Sequence, residues 1–275
     1  MTRALCPPSP EPPSTTRSRW CANTRPGPSR RSGNGSEHGI EFLEAYSGGL
    51  RSPLLQFEKA GHPVVFRLFP TIHIAEPAYY DVVLAHLADC DRVLYEFTQT
   101  FELGPRDHDG HRTLARRLGL VSQLDAVDYE CVPATWVHAD MTRGHLEQAV
   151  AALPSWWDRA QLTVRGQATL ARLMAFLPFP TRQELAAVCD MSQTLYEDLL
   201  AQTPLGVLVL DDRNRVLFNA IKRFHSTALA EGGPPFIVGV FYGAAHMPAV
   251  AAYLTQHLGY FCRTAEWIEL DVFQW

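Results

Sequence analysis

The sequence predicts an α/β fold: a central mixed, largely parallel β-sheet flanked by helices, with a long helical insertion over about 142–230. Three observations carry this. Short apolar runs of strand length alternate with stretches of helical spacing. Strand, helix and strand follow one another within about 35 residues near 61–97, a βαβ arrangement that implies parallel strands. The last apolar run, "PFIVGVFYG" (235–243), then leads straight into a helical pattern.

The elements are expected in this order. "GHPVVFRLFPTIH" (61–73) contains a buried strand, and "PAYYDVVLAHLADC" (77–90) a helix with Pro77 near its start. "DRVLYEF" (91–97) is a second strand, and "HRTLARRLGL" (111–120) a short helix. "QLDAVDYECV" (123–132) fits a short strand or an extended connection. Thr142 is placed to cap a helix over 142–153. Thr181 and Glu184 form a capping box at the head of a helix over 181–202. Residues 235–243 form the third strand, 248–259 a helix, and 261–273 a closing strand or strand pair.

Residues 1–38 hold seven prolines, with Ser, Gly and Arg and no structural period, and read as a disordered tail before one domain over 39–275. The tail carries six arginines against two glutamates, a charge of +4. The formal net charge is −5, so the remainder carries −9. An acidic body argues against a nucleic-acid groove. Pro235–Leu254 has about the length of a membrane span, but Gly243, His246 and Pro248 break it into strand, turn and helix, so no span is expected. The N-terminus lacks the apolar segment of a signal peptide. Six cysteines without a C-x-x-C pair fit reduced thiols and a cytoplasmic setting.

The chemistry lies at the strand ends. The three strands end "FPTIH", "LYE" and "YGAAH", giving His73, Glu96 and His246. Ligands bind outside the carboxyl ends of parallel strands, so residues distant in sequence can converge there. Two imidazoles and a carboxylate suit zinc, manganese, iron or cobalt, and such an ion favours hydrolysis. Gly243 fits a close backbone approach, and Pro248 pre-sets the first helical turn. Arg213 in "DDRNR" can pair with Glu96 or hold an oxyanion. Asp140 and His138 in "WVHAD" are candidates for outer catalytic support, with helix capping an alternative role for Asp140. His108 and His111 in "RDHDGH" read as part of a solvated loop, and Trp156, Trp157 and Trp267 as core or interface aromatics. No G-x-S-x-G elbow and no Gly-rich phosphate loop is present.

The segments "TIHIAEPAYYDVV", "DRVLYEF", "DDRNRVLFNAI", "VGVFYGAAHMPAVAAYLTQHLGY" and "EW" occur in that order over roughly 40–275. In this they resemble the TraB/GumN/PrgY family, which is similar to the TIKI metalloproteases and more distantly to the erythromycin-esterase and ChaN groups. The family is marked by two G-x-x-H motifs with a glutamate between them. The second motif stands as Gly243-Ala-Ala-His246, the glutamate matches Glu96, and an Arg-Asn pair matches Arg213 and Asn214. The first motif departs: it reads Pro70-Thr-Ile-His73, and proline fixes φ and removes an N–H. The resemblance implies an α/β core and a metal-dependent peptidase using manganese or cobalt.

The sequence thus leads to a metal-dependent hydrolase, most closely a peptidase. Its ligands would be His73 and His246, with Glu96 as third ligand or general base. Arg213 and Asp140 would complete the catalytic set, and a peptide or small molecule would be the substrate. The alternative is a non-catalytic protein that sequesters a peptide or a haem-like ligand on the same face.

Overall fold

The structure is a computed structural model that describes residues 40–96, 109–129, 133, 135–155, 181–195, 207–231, 235–268 and 271–274. From Glu41 onward the chain packs as one unit. Its centre is a mixed six-stranded sheet. The strands, in sheet order, are β10 (Phe261–Trp267), β3 (Pro53–Glu58), β4 (Val64–Thr71), β9 (Phe236–Gly243), β6 (Arg92–Tyr95) and β8 (Trp136–His138). β4, β9, β6 and β8 run parallel. β3 and β10 join antiparallel at one edge.

β4 and β6 are linked through helix α1 (Pro77–Ala88), and both run parallel to β9, which lies between them. The apolar content of β9 explains its central place. Val238, Val240, Phe241 and Tyr242 are all buried, so both of its faces need cover.

One face of the sheet carries Phe69, Val93 and Phe241 under Tyr79, Tyr80, Val83 and Leu87 of α1. The 79, 83, 87 spacing is one stripe of a helix. Ala115 of α2 (Asp109–Leu118) and Ala186 of α5 (Arg182–Leu195) join that cluster. The other face carries Phe66, Leu68, Leu94, Val238 and Val240. Leu217, Ala220 and Ile221 of α6 (Arg213–Glu231) and Val250 and Ala251 of α7 (Met247–Ala252) cover it. The alternation along β4 (Val64, Phe66, Leu68 one way, Phe69 the other) distributes these contacts.

α1 sits close to β9 because position 239 is glycine. A Cβ there would lie 3.0 Å from the Cys90 thiol and 3.2 Å from Leu87 Cδ2. Gly239→Val should therefore overpack this layer and cost about 1–3 kcal/mol, read as a lowered urea midpoint at unchanged slope.

Several expectations are refined. A short strand pair, β1 (Glu44–Tyr46) and β2 (Gly49–Arg51), precedes β3, and β11 (Phe273–Gln274) adds to it; the sequence placed the start of the domain near 39 but assigned no element before residue 61. Residues 123–132 were expected as strand or extended chain. Instead β5 (Ile74–Ala75) pairs with β7 (Val121–Ser122), and a one-turn helix α3 (Gln123–Ala126) follows, its Leu124 N–H bonded to the Ser122 hydroxyl. The Thr181–Glu184 capping box heads α5. Thr142 caps α4 (Arg143–Ala152) by accepting from His145 N–H. Between 142 and 230 the described residues form α4, α5 and α6, and the continuity of the expected helical insertion falls outside them. The tail 1–38, His108, Trp156 and Trp157 also lie outside the described residues. Trp267 lies under the Arg51 guanidinium, 4.3 Å from its ring centre. Among the described residues no helix is long and apolar enough to cross a membrane.

Candidate functional site

β4, β6 and β9 end at one edge of the sheet, with Thr71 beside Gly243 and Tyr95 beside Phe241 in register. Glu96 directly follows β6 and extends its ladder, its N–H bonding to Phe241 O at 3.1 Å. His246 stands three residues past Gly243, at the end of a single 3₁₀ turn (Ala244–His246) that leads into α7. His73 lies between β4 and β5. Its carbonyl is held by Gln123 N–H at 2.8 Å, a contact set up by the β5–β7 pairing.

Glu96, Asp140, Arg213, Asn214 and His246 are each under 10% exposed. Arg213 is the hub. Its Nη2 donates to Glu96 Oε1 and, at 2.7 Å, to Asp140 Oδ2; its Nε reaches Asp140 Oδ1 at 2.9 Å. The Asp140 contact is two-pronged, as a planar guanidinium permits. Asp140 Oδ1 also accepts Met141 N–H at 2.7 Å. Arg213 enters from a wide π-helical stretch, Val207–Asp212, that runs into α6. Such widened turns are rare and concentrate at functional sites.

The second oxygen of Glu96 accepts Gly243 N–H at 2.6 Å. This close backbone approach favours glycine at 243, since a Cβ would stand 3.0 Å from that oxygen. Burial pushes the Glu96 carboxyl up, but Arg213, the two histidines and the Gly243 N–H outweigh it and hold it well below the ordinary range. Burial favours neutral Arg213, and its two carboxylates reverse this and keep it charged. Glu96, Asp140 and Arg213 together leave one net negative charge.

His246 Nδ1 lies 2.8 Å from Asn214 Oδ1. An amide oxygen only accepts, so Nδ1 carries the proton and Nε2 keeps its lone pair. Nε2 faces Glu96 Oε1 at 3.9 Å. Burial lowers the imidazole to about 4, against the pull of Glu96, so His246 is neutral near pH 7. The Tyr242 ring meets it edge-on at 5.0 Å, and the Tyr242 hydroxyl donates to Ala139 O at 3.2 Å.

Glu96, Arg213, Asp140 and His246 thus form one cluster. His73 stands at its mouth, exposed, and is an electrostatic neighbour of both Glu96 and His246. His138 packs instead against the Tyr95 ring, 5.6 Å between centres. Among the described residues no three His, Cys, Asp or Glu side chains are placed together to hold a metal ion. Pro70 is accommodated because the β3–β4 ladder has ended at Leu68, and its carbonyl accepts from Ser52 Oγ and the Tyr79 hydroxyl.

Sequence reasoning assigned no role to Asn214, which sets the histidine tautomer. It expected Gly243 to admit a ligand, where the group admitted is Glu96. Gln123, which also donates to the Tyr129 hydroxyl at 2.7 Å, was missed, since nothing in a one-turn helix marks it. Comparison of the chain with protein-family models, curated proteins and solved structures found no match.

Proposed function

We propose that the chain is a metal-dependent hydrolase of peptide or related amide bonds, with His246, Glu96 and His73 as the ligand set. The observation that carries this reading is the His246–Glu96 pair. It sets a neutral imidazole nitrogen with a fixed lone pair 3.9 Å from an ionised carboxylate, inside a cluster of net negative charge. Nitrogen and oxygen donors of this kind suit manganese, cobalt, iron or zinc. Asn214 Oδ1 stands where a carboxylate or backbone carbonyl usually accepts the other N–H of a ligating histidine. A divalent ion supplies Lewis acidity for a substrate carbonyl and for water. The intact G-x-x-H at 243–246 and its likeness to the TraB/GumN/PrgY family direct the choice to a peptide substrate and to manganese or cobalt.

The chain's own groups have these roles. Arg213 orients Glu96, because its Nε and Nη2 are committed to Asp140 and Glu96. Asp140 holds Arg213 in place. Gly243 N–H fixes the remaining oxygen of Glu96. His73, on the exposed rim, would complete the ligand set from the solvent side. A reducing, cytoplasmic setting belongs to the same reading; among the described residues Cys90 and Cys262 are free thiols.

One observation favours a second reading, a binding protein that sequesters a peptide or haem-like ligand. Both Glu96 oxygens are already engaged by protein donors. Elemental analysis after purification without chelator separates the two. The hydrolase reading expects about one ion per chain, lost in His73→Ala and in His246→Ala, with cleavage of a mixed peptide library abolished by chelator. A metal-free wild type, after incubation with divalent ions as well, rejects it.

A further inference from the structure

At the opposite end of the sheet, three segments meet at a cluster the site does not use. The β3–β4 turn brings Lys59 and His62, α6 brings His225, and the link into β10 brings Tyr260. The His62 and His225 rings stack at 4.2 Å with an 8° tilt. The Tyr260 ring meets both edge-on at 5.7 Å and also packs on Phe66. Tyr260 is 3% exposed.

The hydrogen bonds of this cluster assign every proton. Val64 N–H donates to His62 Nδ1 at 3.2 Å, so that nitrogen is an acceptor. Nε2 of His62 therefore carries the proton, and it donates to His225 O at 3.1 Å. The Tyr260 hydroxyl lies 3.0 Å from His62 Nδ1 and 3.1 Å from His225 Nδ1. Since His62 Nδ1 accepts, Tyr260 donates to it and accepts from His225 Nδ1–H. The circuit closes only with both imidazoles neutral. A proton on His62 Nδ1 would face two donors, Val64 N–H and Tyr260 O–H. A proton on His225 would place a charge against the stacked ring. Lys59, whose ammonium donates to Leu258 O at 2.7 Å, is the charged group that acts on both rings, and it opposes either protonation.

We propose that His62, His225 and Tyr260 form an acid-sensitive clasp that fastens the start of the edge strand β10 to the sheet and releases it on histidine protonation. Among the described residues β10 pairs with β3 alone, beginning at Phe261–Glu58, and its register shifts between Cys262 and Thr264. The first two residue pairs can therefore separate from the rest of the strand. Phe261, 45% exposed, lies next to the clasp. Release would bare the β3 edge beside an apolar side chain, a template for strand addition.

The direction of the pH effect follows from burial, which lowers both imidazoles below their ordinary value. A group depressed in the fold in this way adds stability above its unfolded pKa of about 6.5. That stability is lost as pH falls through the folded values.

The test is amide hydrogen exchange by NMR on the full chain at about pH 7.5 and about pH 5, corrected for intrinsic exchange rates. The Val64 amide reports on His62 Nδ1 directly, and the Tyr260 amide, bonded to Leu254 O at 2.9 Å, reports on the strand start. The expected result is about a tenfold fall in protection at both amides relative to Val240 in the sheet centre. The step should shrink in His225→Gln. In Tyr260→Phe, protection should already be low at the higher pH. Unchanged protection in wild type, an equal fall at Val240, or a step of full size in His225→Gln would overturn the clasp. Should Tyr260→Phe fail to fold, the wild-type and His225→Gln measurements decide alone.

Discussion

Arg213→Met lowers stability at pH 7 by about 3–5 kcal/mol, equivalent to a fall of roughly 6–20 °C in Tm for a chain of this size. The cost arises from what remains. Glu96 and Asp140 are 8% and 3% exposed, and both are ion-paired to this one guanidinium, the largest lowering influence on Glu96. Removing it leaves two buried carboxylates without their arginine ion pair. The Glu96 carboxyl, which burial pushes up, then loses the main charge that held it down. The sign of the acid response should reverse with it. In wild type the Glu96 carboxyl is depressed, so its contribution is present above the unfolded pKa and fades as pH falls through the folded value. In Arg213→Met burial raises the Glu96 carboxyl, so lowering the pH from 7 to about 5 restores part of the lost stability. Replacing the whole cluster should hurt far less than breaking it. E96Q/D140L/R213M keeps an amide oxygen for Gly243 N–H and should regain most of the loss. Urea midpoints at both pH values check this. A wild-type-like Arg213→Met would mean that the buried ion cluster does not exist in solution.

The parts of the fold legible in sequence were those that short-range physics dictates. β4, β6 and β9 are apolar runs of strand length, and α1 carries an apolar stripe with proline at its start. Their ends place Glu96 and Gly243 to within a residue. What lay beyond reach depends on distant partners. β1 and β2 have three residues each, too few for a period to emerge, and they gain their place from β11 at the far end of the chain. The position of β9 between β4 and β6 is a choice of topology that no local pattern encodes. Arg213 bonds to residues 73 and 117 positions away. The sequence offered Glu96 as its partner but not the two-pronged hold of Asp140. His246 was read in a turn after the strand of 235–243, and that turn is a single 3₁₀ one, Ala244–His246. That turn carries the ring back to Asn214, a contact that fixes its proton.

The same contact yields the second large effect. His246→Ala should lower peptide cleavage by about 10²–10⁴-fold and abolish manganese binding measured by calorimetry. Asn214→Leu should have a smaller effect of the same kind. It leaves every ligand atom in place but removes the acceptor for Nδ1–H, so the imidazole loses its fixed tautomer and its orientation. A loss of about 10–100-fold in manganese affinity is the usual scale for such an outer partner. Asn214→Asp restores an acceptor for that proton, and so should bind manganese more tightly than Asn214→Leu, even though it adds a third carboxylate to the cluster. A purely structural Asn214 predicts a different order. Both substitutions would then lower the urea midpoint, and manganese affinity per folded molecule would stay at the wild-type value. The ranking wild type, Asn214→Asp, Asn214→Leu, His246→Ala in manganese affinity therefore identifies Nε2 of His246 as the donor. Equal affinity in wild type and His246→Ala would remove His246 from the site. The buried arginine–carboxylate cluster would then have to be explained by stability alone.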